Sequence, residues 1–115
     1  MIEAATPKFS SVLLAAGQST RMGRDKALLE YEGAPLWRRQ RAVLANAGAA
    51  EIFLSARTDQ AWADRAEGFS TVLHDALFGC GPLVGVTAAL ERTSFPWVAV
   101  LAIDLPAITP GWFRM

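Results

Sequence analysis

Apolar and polar positions along this chain predict four strands separated by helices. The first and fourth predicted strands are continuously apolar, which is typical of a strand covered on both faces of a parallel sheet, and the second and third are apolar at their centres. The four runs are residues 12–16, 51–55, 70–74 and 97–103. The first run ends at Gly17, where the chain can turn sharply.

The stretches between the strands carry helical signals. One helix is predicted to begin at Pro35, a residue suited to the first turn, and to end before Gly48. Its apolar residues recur near helical spacing at Leu36, Val43, Leu44 and Ala47. A short helix capped by Asp59 is predicted to end near Ala66, and a third covers 82–92. This alternation predicts an open, doubly wound α/β sheet with mostly parallel strands.

Composition excludes several classes of protein. Apolar residues make up 52% of the 115 residues, which excludes a disordered chain. The 11 basic and 11 acidic residues cancel, which argues against a nucleic-acid partner. The longest apolar run, 97–103, is far shorter than the roughly 20 residues of a membrane-spanning helix. The single cysteine, Cys80, excludes an internal disulfide and favours a cytoplasmic location.

The charges are unevenly distributed along the chain. Residues 1–41 contain seven Lys or Arg and four Asp or Glu, whereas residues 42–115 contain four and seven. This asymmetry suits a phosphate site that faces a metal-binding carboxylate, and a chance distribution fits equally well. The sole histidine, His74, and the four tryptophans are interpreted as structural. The tryptophans are Trp37, Trp62, Trp97 and Trp112.

A glycine-containing loop follows the first predicted strand directly. It lacks the Gly-Lys-Ser/Thr ending of a Walker loop and the Gly-x-Gly-x-x-Gly of a dinucleotide site. Gly17 and Gly23 allow the backbone to present N–H groups to an anion, and Arg21, Arg24 and Lys26 add positive charge. The loop is therefore a candidate phosphate cradle, with a solvated turn as the alternative.

A single carboxylate ends the fourth predicted strand. Asp104 follows the apolar run 97–103 and precedes Leu105-Pro106. Ligands of open α/β sheets bind at the carboxyl ends of the strands, and magnesium prefers oxygen ligands. Asp104 is thus a candidate ligand of a metal–triphosphate, and a cap of the following turn remains the alternative.

Four motifs in order resemble those of the nucleotidyltransferases related to the molybdenum cofactor guanylyltransferase. They are LAAGQSTRMGRDKALL at 14–29, GAPL at 33–36, GPLVG at 81–85 and AIDLP at 102–106. The resemblance implies a doubly wound α/β fold of nearly twice this length. The chain ends soon after Thr109-Pro110, which predicts the start of another helix. We therefore expect residues 1–115 to be the amino-terminal portion of a single nucleotidyltransferase domain.

The resemblance also implies the residues of the site. Arg21 and Lys26 would hold the phosphates of a nucleoside triphosphate, and Asp104 would bind the Mg²⁺ that bridges them. These three are the implied catalytic residues. The nucleotide-binding residues implied are Leu14, Ala15, Ala16, Gly17, Arg21, Lys26, Ser55, Asp75, Gly81, Pro82, Leu83 and Asp104.

The implied reaction moves GMP from GTP to the phosphate of molybdenum-molybdopterin and releases pyrophosphate. No membrane partner is expected, and the sequence leaves the oligomeric state open. Ala16 replaces a glycine that is usual in the guanylyl branch, so transfer from CTP or another triphosphate stays open; the GPLVG motif favours the guanylyl branch. Ser55 stands where the family often has an asparagine. A non-catalytic nucleotide-binding module is the remaining alternative.

Overall fold

The computed structural model describes residues 8–16, 26–75 and 82–103. The strands in these ranges are β1 (Ser10–Leu14), β2 (Glu30–Tyr31), β3 (Ala34–Pro35), β4 (Glu51–Arg57), β5 (Thr71–Asp75) and β6 (Val98–Ala102). The helices are α1 (Leu36–Asn46) and α2 (Pro82–Arg92), with 3-10 helices at Lys26–Leu28 and Ala61–Arg65. Within these ranges no helix is both long and apolar enough to cross a membrane.

Four of the strands form one parallel sheet in the order β5-β4-β1-β6. Ser10 of β1 pairs with Glu51 of β4 on one side and with Val98 of β6 on the other. Each crossover between parallel strands needs a long connection, and helical segments lie in these connections. The predicted α/β sheet with parallel strands is confirmed.

The sheet is covered on both faces, which explains its continuous apolar strands. Leu13 and Leu54 are fully buried in the core cluster that includes residues of α1. Val12 and Phe53, one position earlier in each strand, pack in a second cluster with Ala89 of α2. Successive strand side chains point to opposite faces, so each strand supplies both cores. This arrangement is the doubly wound architecture that the sequence predicts.

Aromatic packing joins α1 to the segments around the second 3-10 helix. The rings of Trp37 and Trp62 stack with centroids 6.2 Å apart, and Phe69 lies 5.9 Å from Trp37. The structural interpretation of these two tryptophans is confirmed. It is wrong for Trp97, which precedes edge strand β6 and is 64% exposed. Trp112 lies outside the described residues.

Two local predictions also need correction. β1 begins at Ser10 rather than at Val12, because the buried hydroxyl groups of Ser10 and Ser11 find hydrogen-bond partners. Asp59 does not cap a helix. Its carboxylate accepts a hydrogen bond from Arg57, and the helix that follows is a 3-10 helix.

A two-residue hairpin precedes α1 and was not predicted. Strands β2 and β3 pair antiparallel, and Glu32 and Gly33 between them have φ values of 52° and 85°. Two consecutive positive φ values are typical of the turn that matches the twist of a hairpin. The hairpin brings the chain from the first 3-10 helix to α1, where the Leu36 N–H donates to the Leu29 carbonyl.

A polar cluster closes the amino-terminal edge of the sheet, opposite the carboxyl ends of the strands. The Glu51 carboxylate accepts hydrogen bonds from Ser10 Oγ at 2.6 Å, Ser94 N at 3.0 Å and Ser94 Oγ at 3.2 Å. The hydrogen bond from Ser10, followed by that from the Ser94 backbone, lowers the pKa of Glu51 below its ordinary value of 4.5. Burial acts in the opposite direction and is outweighed.

The lowered pKa of Glu51 predicts an acid-sensitive contribution to stability. A carboxyl group with a lowered pKa in the folded state stabilises it above the unfolded-state pKa, and the contribution is lost as pH falls through the lowered value. We expect Glu51→Gln to reduce the free energy of unfolding most above pH 4.5 and progressively less below it. Urea unfolding at a series of pH values measures this difference.

The matched control is Glu91→Gln, which removes the same charge from an exposed position on α2. If the difference in free energy of unfolding between wild type and Glu51→Gln stayed constant through the acid range, the lowered pKa of Glu51 would not be its cause.

Candidate functional site

The strand order identifies one place on the sheet where a ligand is expected. The chain moves outward from central β1 through β4 to β5, and then returns to the other side of β1 as β6. The direction of winding therefore reverses between β1 and β6. Ligands of open α/β sheets bind outside the carboxyl ends of the strands at such a switch point. The candidate site lies where the chain leaves these strands.

The residues that follow β1, Ala15 and Ala16, are called here the exit of β1. They are fixed by hydrogen bonds from β4 and the turn after it. The Ala15 N–H donates to the Ser55 carbonyl at 2.8 Å. Gln60 Nε2 donates to the Ala15 carbonyl at 2.8 Å, and Arg57 Nη1 donates to the Ala16 carbonyl at 2.9 Å. The last two described residues before Gly17 are thus held at three backbone atoms.

The turn that supplies these donors is itself closed by hydrogen bonds. Gln60 Oε1 accepts from the Arg57 N–H at 2.6 Å, and the Gln60 N–H donates to the Arg57 carbonyl at 3.1 Å. Arg57 Nε donates to Asp59 Oδ1 at 3.0 Å, which holds the guanidinium at the strand end. The turn therefore presents one cation and one amide to the exit of β1.

The exit of β6, which consists of Ala102 and Ile103, lies beside that of β1. The Ile103 N–H donates to the Leu14 carbonyl at 3.1 Å. On the α1 side, Gln40 Nε2 lies 3.3 Å from both the Ala102 and the Ile103 carbonyl oxygens and donates to them. Ile103 is the residue before Asp104 in the sequence, so the backbone is fixed immediately before the candidate metal ligand.

Helix α2 approaches the carboxyl ends of β1 and β4 closely at a glycine. A Cβ atom on Gly85 would lie 2.5 Å from Ser55 Oγ and 2.8 Å from Leu14 Cδ2. Ser55 is 2% exposed, so its side chain is packed under the helix. Glycine permits this contact because it has no side chain.

Several residues predicted for the site are brought together by these contacts. Leu14, Ala15, Ala16 and Ser55 lie side by side where β1 and β4 end. Lys26 begins the first 3-10 helix, whose second residue, Ala27, is fully buried in the α1 core.

The other predicted residues are described in part or not at all. Asp75 ends β5 and pairs in register with Arg57, and Pro82 and Leu83 begin α2. The side chains of Lys26, Asp75, Pro82 and Leu83 are outside the described atoms. Gly17, Arg21, Gly81 and Asp104 lie wholly outside the described residues. Among the described residues, no group of three or more His, Cys, Asp or Glu side chains could hold a metal ion.

Sequence reasoning missed three residues that hold the site: Arg57, Gln60 and Gln40. For Gln40 a signal was present, since a polar residue interrupts the apolar stripe of α1 between Leu36 and Val43. For Arg57 and Gln60 the sequence pattern gives no signal, because their partners are backbone carbonyls more than 40 positions away. His74 Nε2 lies 3.0 Å from Asp64 Oδ1 in an exposed pair, in line with a structural role.

The chain is similar to a family of NTP transferase domains and to curated proteins that cover most of its length. Residues 11–115 match the family model described as a MobA-like NTP transferase domain. A probable molybdenum cofactor guanylyltransferase of Opitutus terrae is 43% identical over 107 residues, which cover 90% of this chain and 52% of that protein. The molybdenum cofactor guanylyltransferase of Pseudomonas paraeruginosa is 38% identical over 114 residues, covering 94% and 54%. The chain spans about half the length of these curated relatives.

Solved structures share the fold at lower identity. A nucleotidyl transferase of Methanothermobacter superposes with a TM-score of 0.82 at 18% identity, covering 93% of this chain and 55% of that chain. A Mycobacterium tuberculosis protein in complex with manganese gives a TM-score of 0.70 at 23% identity, covering 93% and 56%. At these identities the likeness concerns the fold alone.

Proposed function

We propose, because the chain belongs to the MobA-like NTP transferase domain family, that it forms the amino-terminal, nucleotide-binding part of a molybdenum cofactor guanylyltransferase. The proposed reaction moves GMP from GTP to the phosphate of molybdenum-molybdopterin. The observation that carries most weight is the meeting of the β1 and β6 exits at the switch point of the sheet. One exit leads into the glycine-containing loop, and the other leads to Asp104.

The nucleotide is proposed to lie along the β1 exit. Arg21 and Lys26 hold the phosphates, and Gly17 allows the backbone to approach them. The further nucleotide-binding residues proposed are Leu14, Ala15, Ala16, Ser55, Asp75, Gly81, Pro82 and Leu83. Arg57 adds a fixed positive charge close to the start of this segment, since its guanidinium binds the Ala16 carbonyl. These cations oppose the charge of the triphosphate.

A divalent cation, Mg²⁺, fits the chemistry at the β6 exit. A carboxylate is the donor that Mg²⁺ prefers, and Asp104 follows directly after the backbone held by Gln40. When bound, the ion supplies charge neutralisation on the triphosphate oxygens. Asp104 is proposed to hold it, together with oxygens of the nucleotide.

The proposed reaction needs no nucleophilic side chain. A phosphate oxygen of the acceptor forms a bond to the α-phosphorus of GTP as the bond to the β-phosphate oxygen breaks. The electron pair of that bond leaves with pyrophosphate, so negative charge grows on the leaving oxygen. Arg21 and Lys26 stabilise this charge and orient the triphosphate, so catalysis consists of positioning and electrostatic stabilisation.

Two alternatives follow from particular residues. Ala16 departs from the guanylyl pattern, and Ser55 is packed under α2, so the base preference includes CTP as a second candidate. A nucleotide-binding module without turnover is the other, because the chain spans about half of its curated relatives. Residues 1–115 are proposed to form one portion of a single domain. The protein is proposed to be located in the cytoplasm and to have small molecules as its partners.

Nucleotide binding by this chain is expected to raise its thermal stability. A ligand present at 100 times its dissociation constant adds about 2.7 kcal/mol to the free energy of unfolding. We expect Mg²⁺ with GTP to raise the Tm more than Mg²⁺ with CTP, ATP or UTP. Differential scanning fluorimetry with each triphosphate measures the shift.

The control variant is Asp104→Asn, which is expected to weaken the shift because it removes the proposed metal ligand. A larger shift with CTP would reassign the base to cytosine. The absence of any shift in a folded sample would contradict nucleotide binding by this chain.

A further inference from the structure

We propose that two buried glutamines, Gln60 and Gln40, are positioning residues that hold the exits of β1 and β6 in the geometry that nucleotide and metal binding require. Neither residue is proposed to touch the nucleotide or the metal. The inference rests on the proposed function for its binding readout, while its structural readout is independent of that function.

Gln60 uses both ends of its amide on the β1 exit. It is 4% exposed, with Nε2 donating to the Ala15 carbonyl and Oε1 accepting from the Arg57 N–H. The second bond keeps the Arg57 turn closed, and Arg57 in turn donates to the Ala16 carbonyl. One side chain therefore fixes two successive carbonyls, one directly and one through Arg57.

Gln40 acts in the same way on the β6 exit, from its position on α1. It is fully buried on α1, and Nε2 donates to the carbonyls of both Ala102 and Ile103. Its Oε1 accepts from Arg39 Nη1 at 2.9 Å. Both amide hydrogens and the amide oxygen thus have partners.

The positions of these carbonyls explain why the amides matter. The parallel pairing of β1 ends at Leu14, opposite Ser55 in β4 and Ala102 in β6. One further backbone hydrogen bond follows on each side, from Ala15 to Ser55 and from Ile103 to Leu14, and the two glutamines bind carbonyls at this end of the strand ladder. A buried amide is costly unless it is hydrogen-bonded, so an apolar side chain would suit a purely structural role in the α1 stripe better.

The two exits lead to different parts of the proposed site. Ala16 precedes the loop that contains Arg21 and Lys26, whereas Ile103 precedes Asp104. A small displacement of either exit would therefore move one partner of the triphosphate relative to the other. We expect Gln60 to affect the affinity for the nucleotide, and Gln40 to affect the Mg²⁺ concentration that nucleotide binding requires.

Residue-specific amide exchange by NMR tests the positioning itself. The reporters are the N–H groups of Ala15 and Ile103, which bind the Ser55 and Leu14 carbonyls. We expect Gln60→Leu to accelerate exchange at Ala15, and Gln40→Leu to accelerate it at Ile103, each by about tenfold. Reference amides at the opposite edge, Ser10 and Ala50, should change far less.

The control variant is Thr93→Val, which removes a hydrogen-bonded hydroxyl at the opposite edge of the sheet. It should leave exchange at Ala15 and Ile103 as in wild type, with Ala50 as the reference amide, because Thr93 contacts Ser10 and its replacement acts on that residue. If the leucine variants do not fold, Gln60→Met and Gln40→Met keep the length of the unbranched side chain and lose the amide, and they give the same comparison. Equal acceleration at all reporter and reference amides would indicate a general loss of stability and overturn the inference.

Titration with GTP and Mg²⁺ provides the second readout. At saturating Mg²⁺, Gln60→Leu is expected to raise the dissociation constant for GTP by about tenfold, the scale of one lost hydrogen bond. Gln40→Leu is expected to raise the Mg²⁺ concentration needed for half-maximal GTP binding by a similar factor. If both variants kept the wild-type dissociation constant for GTP and the wild-type Mg²⁺ concentration for half-maximal binding, the inference would be overturned. If wild type binds no GTP, the proposed function fails, and the exchange pattern alone decides the positioning.

Discussion

Gly85→Val is expected to destabilise the chain by about 2–3 kcal/mol, because α2 has no room for a side chain at this position. The introduced Cβ would lie 2.5 Å from Ser55 Oγ and 3.0 Å from Ser55 Cβ. Rotation of Ser55 would relieve only the first contact, since its Cβ is fixed by the backbone of β4. Valine gains little in helix propensity over glycine, so the steric cost prevails.

A double-mutant cycle separates the contact from the helix effect. Gly85→Ala alone should cost about 1–2 kcal/mol, because overpacking outweighs the gain of about 1 kcal/mol in helix propensity. Combination with Ser55→Ala should recover part of that loss by removing Oγ. Urea unfolding measures each variant, and Thr87→Val at an exposed position of α2 should stay within about 0.5 kcal/mol of wild type. A stabilised Gly85→Ala would contradict the close approach of helix and sheet.

Loss of the proposed phosphate and metal ligands should have the largest effect on chemistry. Lys26→Ala and Asp104→Asn are each expected to reduce turnover on the order of 10²-fold, the scale measured when one transition-state contact is removed. Lys26 would no longer neutralise the triphosphate, and Asp104 would no longer hold the metal. Pyrophosphate release from GTP with a molybdopterin acceptor measures the rate.

The matched controls remove the same charges elsewhere. Lys8→Ala lies before β1 at the opposite edge of the sheet, and Asp64→Asn lies on the exposed second 3-10 helix. Both should leave turnover within about twofold of wild type, since exposed charges at a distance are screened. Full activity in Lys26→Ala or Asp104→Asn would overturn the site assignment.

The strands and main helices were predictable because their signals are local. The run 51–55 has three apolar residues at its centre, and the structure confirms a buried strand there that extends to Arg57. The start of β1 was not predictable in the same way. Ser10 and Ser11 are polar but buried, and their partner is Glu51, some 40 positions along the chain. Hydropathy cannot reveal a polar residue that is buried with its partner.

The candidate site also contains features that the sequence predicts and features that it does not. The loop after β1 and the carboxylate after β6 stay predictions from strand ends and residue types, since both lie outside the residues that the structure describes. The glutamines that hold these exits were missed, since their hydrogen bonds are to backbone carbonyls, which every residue carries. Asp59 was misassigned for a related reason: a helix cap and an ion pair with Arg57 use the same carboxylate. The local hydrogen bond to Arg57, two positions away, prevailed over the cap.

The position of β1 at the centre of the sheet also has a consequence for the order in which the chain acquires its structure. β4 and β5 pair across a short separation, with Phe53 opposite Thr71, whereas Ser10 must meet Val98 from the far end of the described chain. Closing a longer loop costs more entropy, and pairings distant in sequence slow folding. Among the strands that the structure describes, β1 is therefore the last to be completed on both sides. The crevice proposed for the nucleotide, between β1 and β6, would form only with the β1–β6 pairing, which spans the greatest distance in sequence among the described strands.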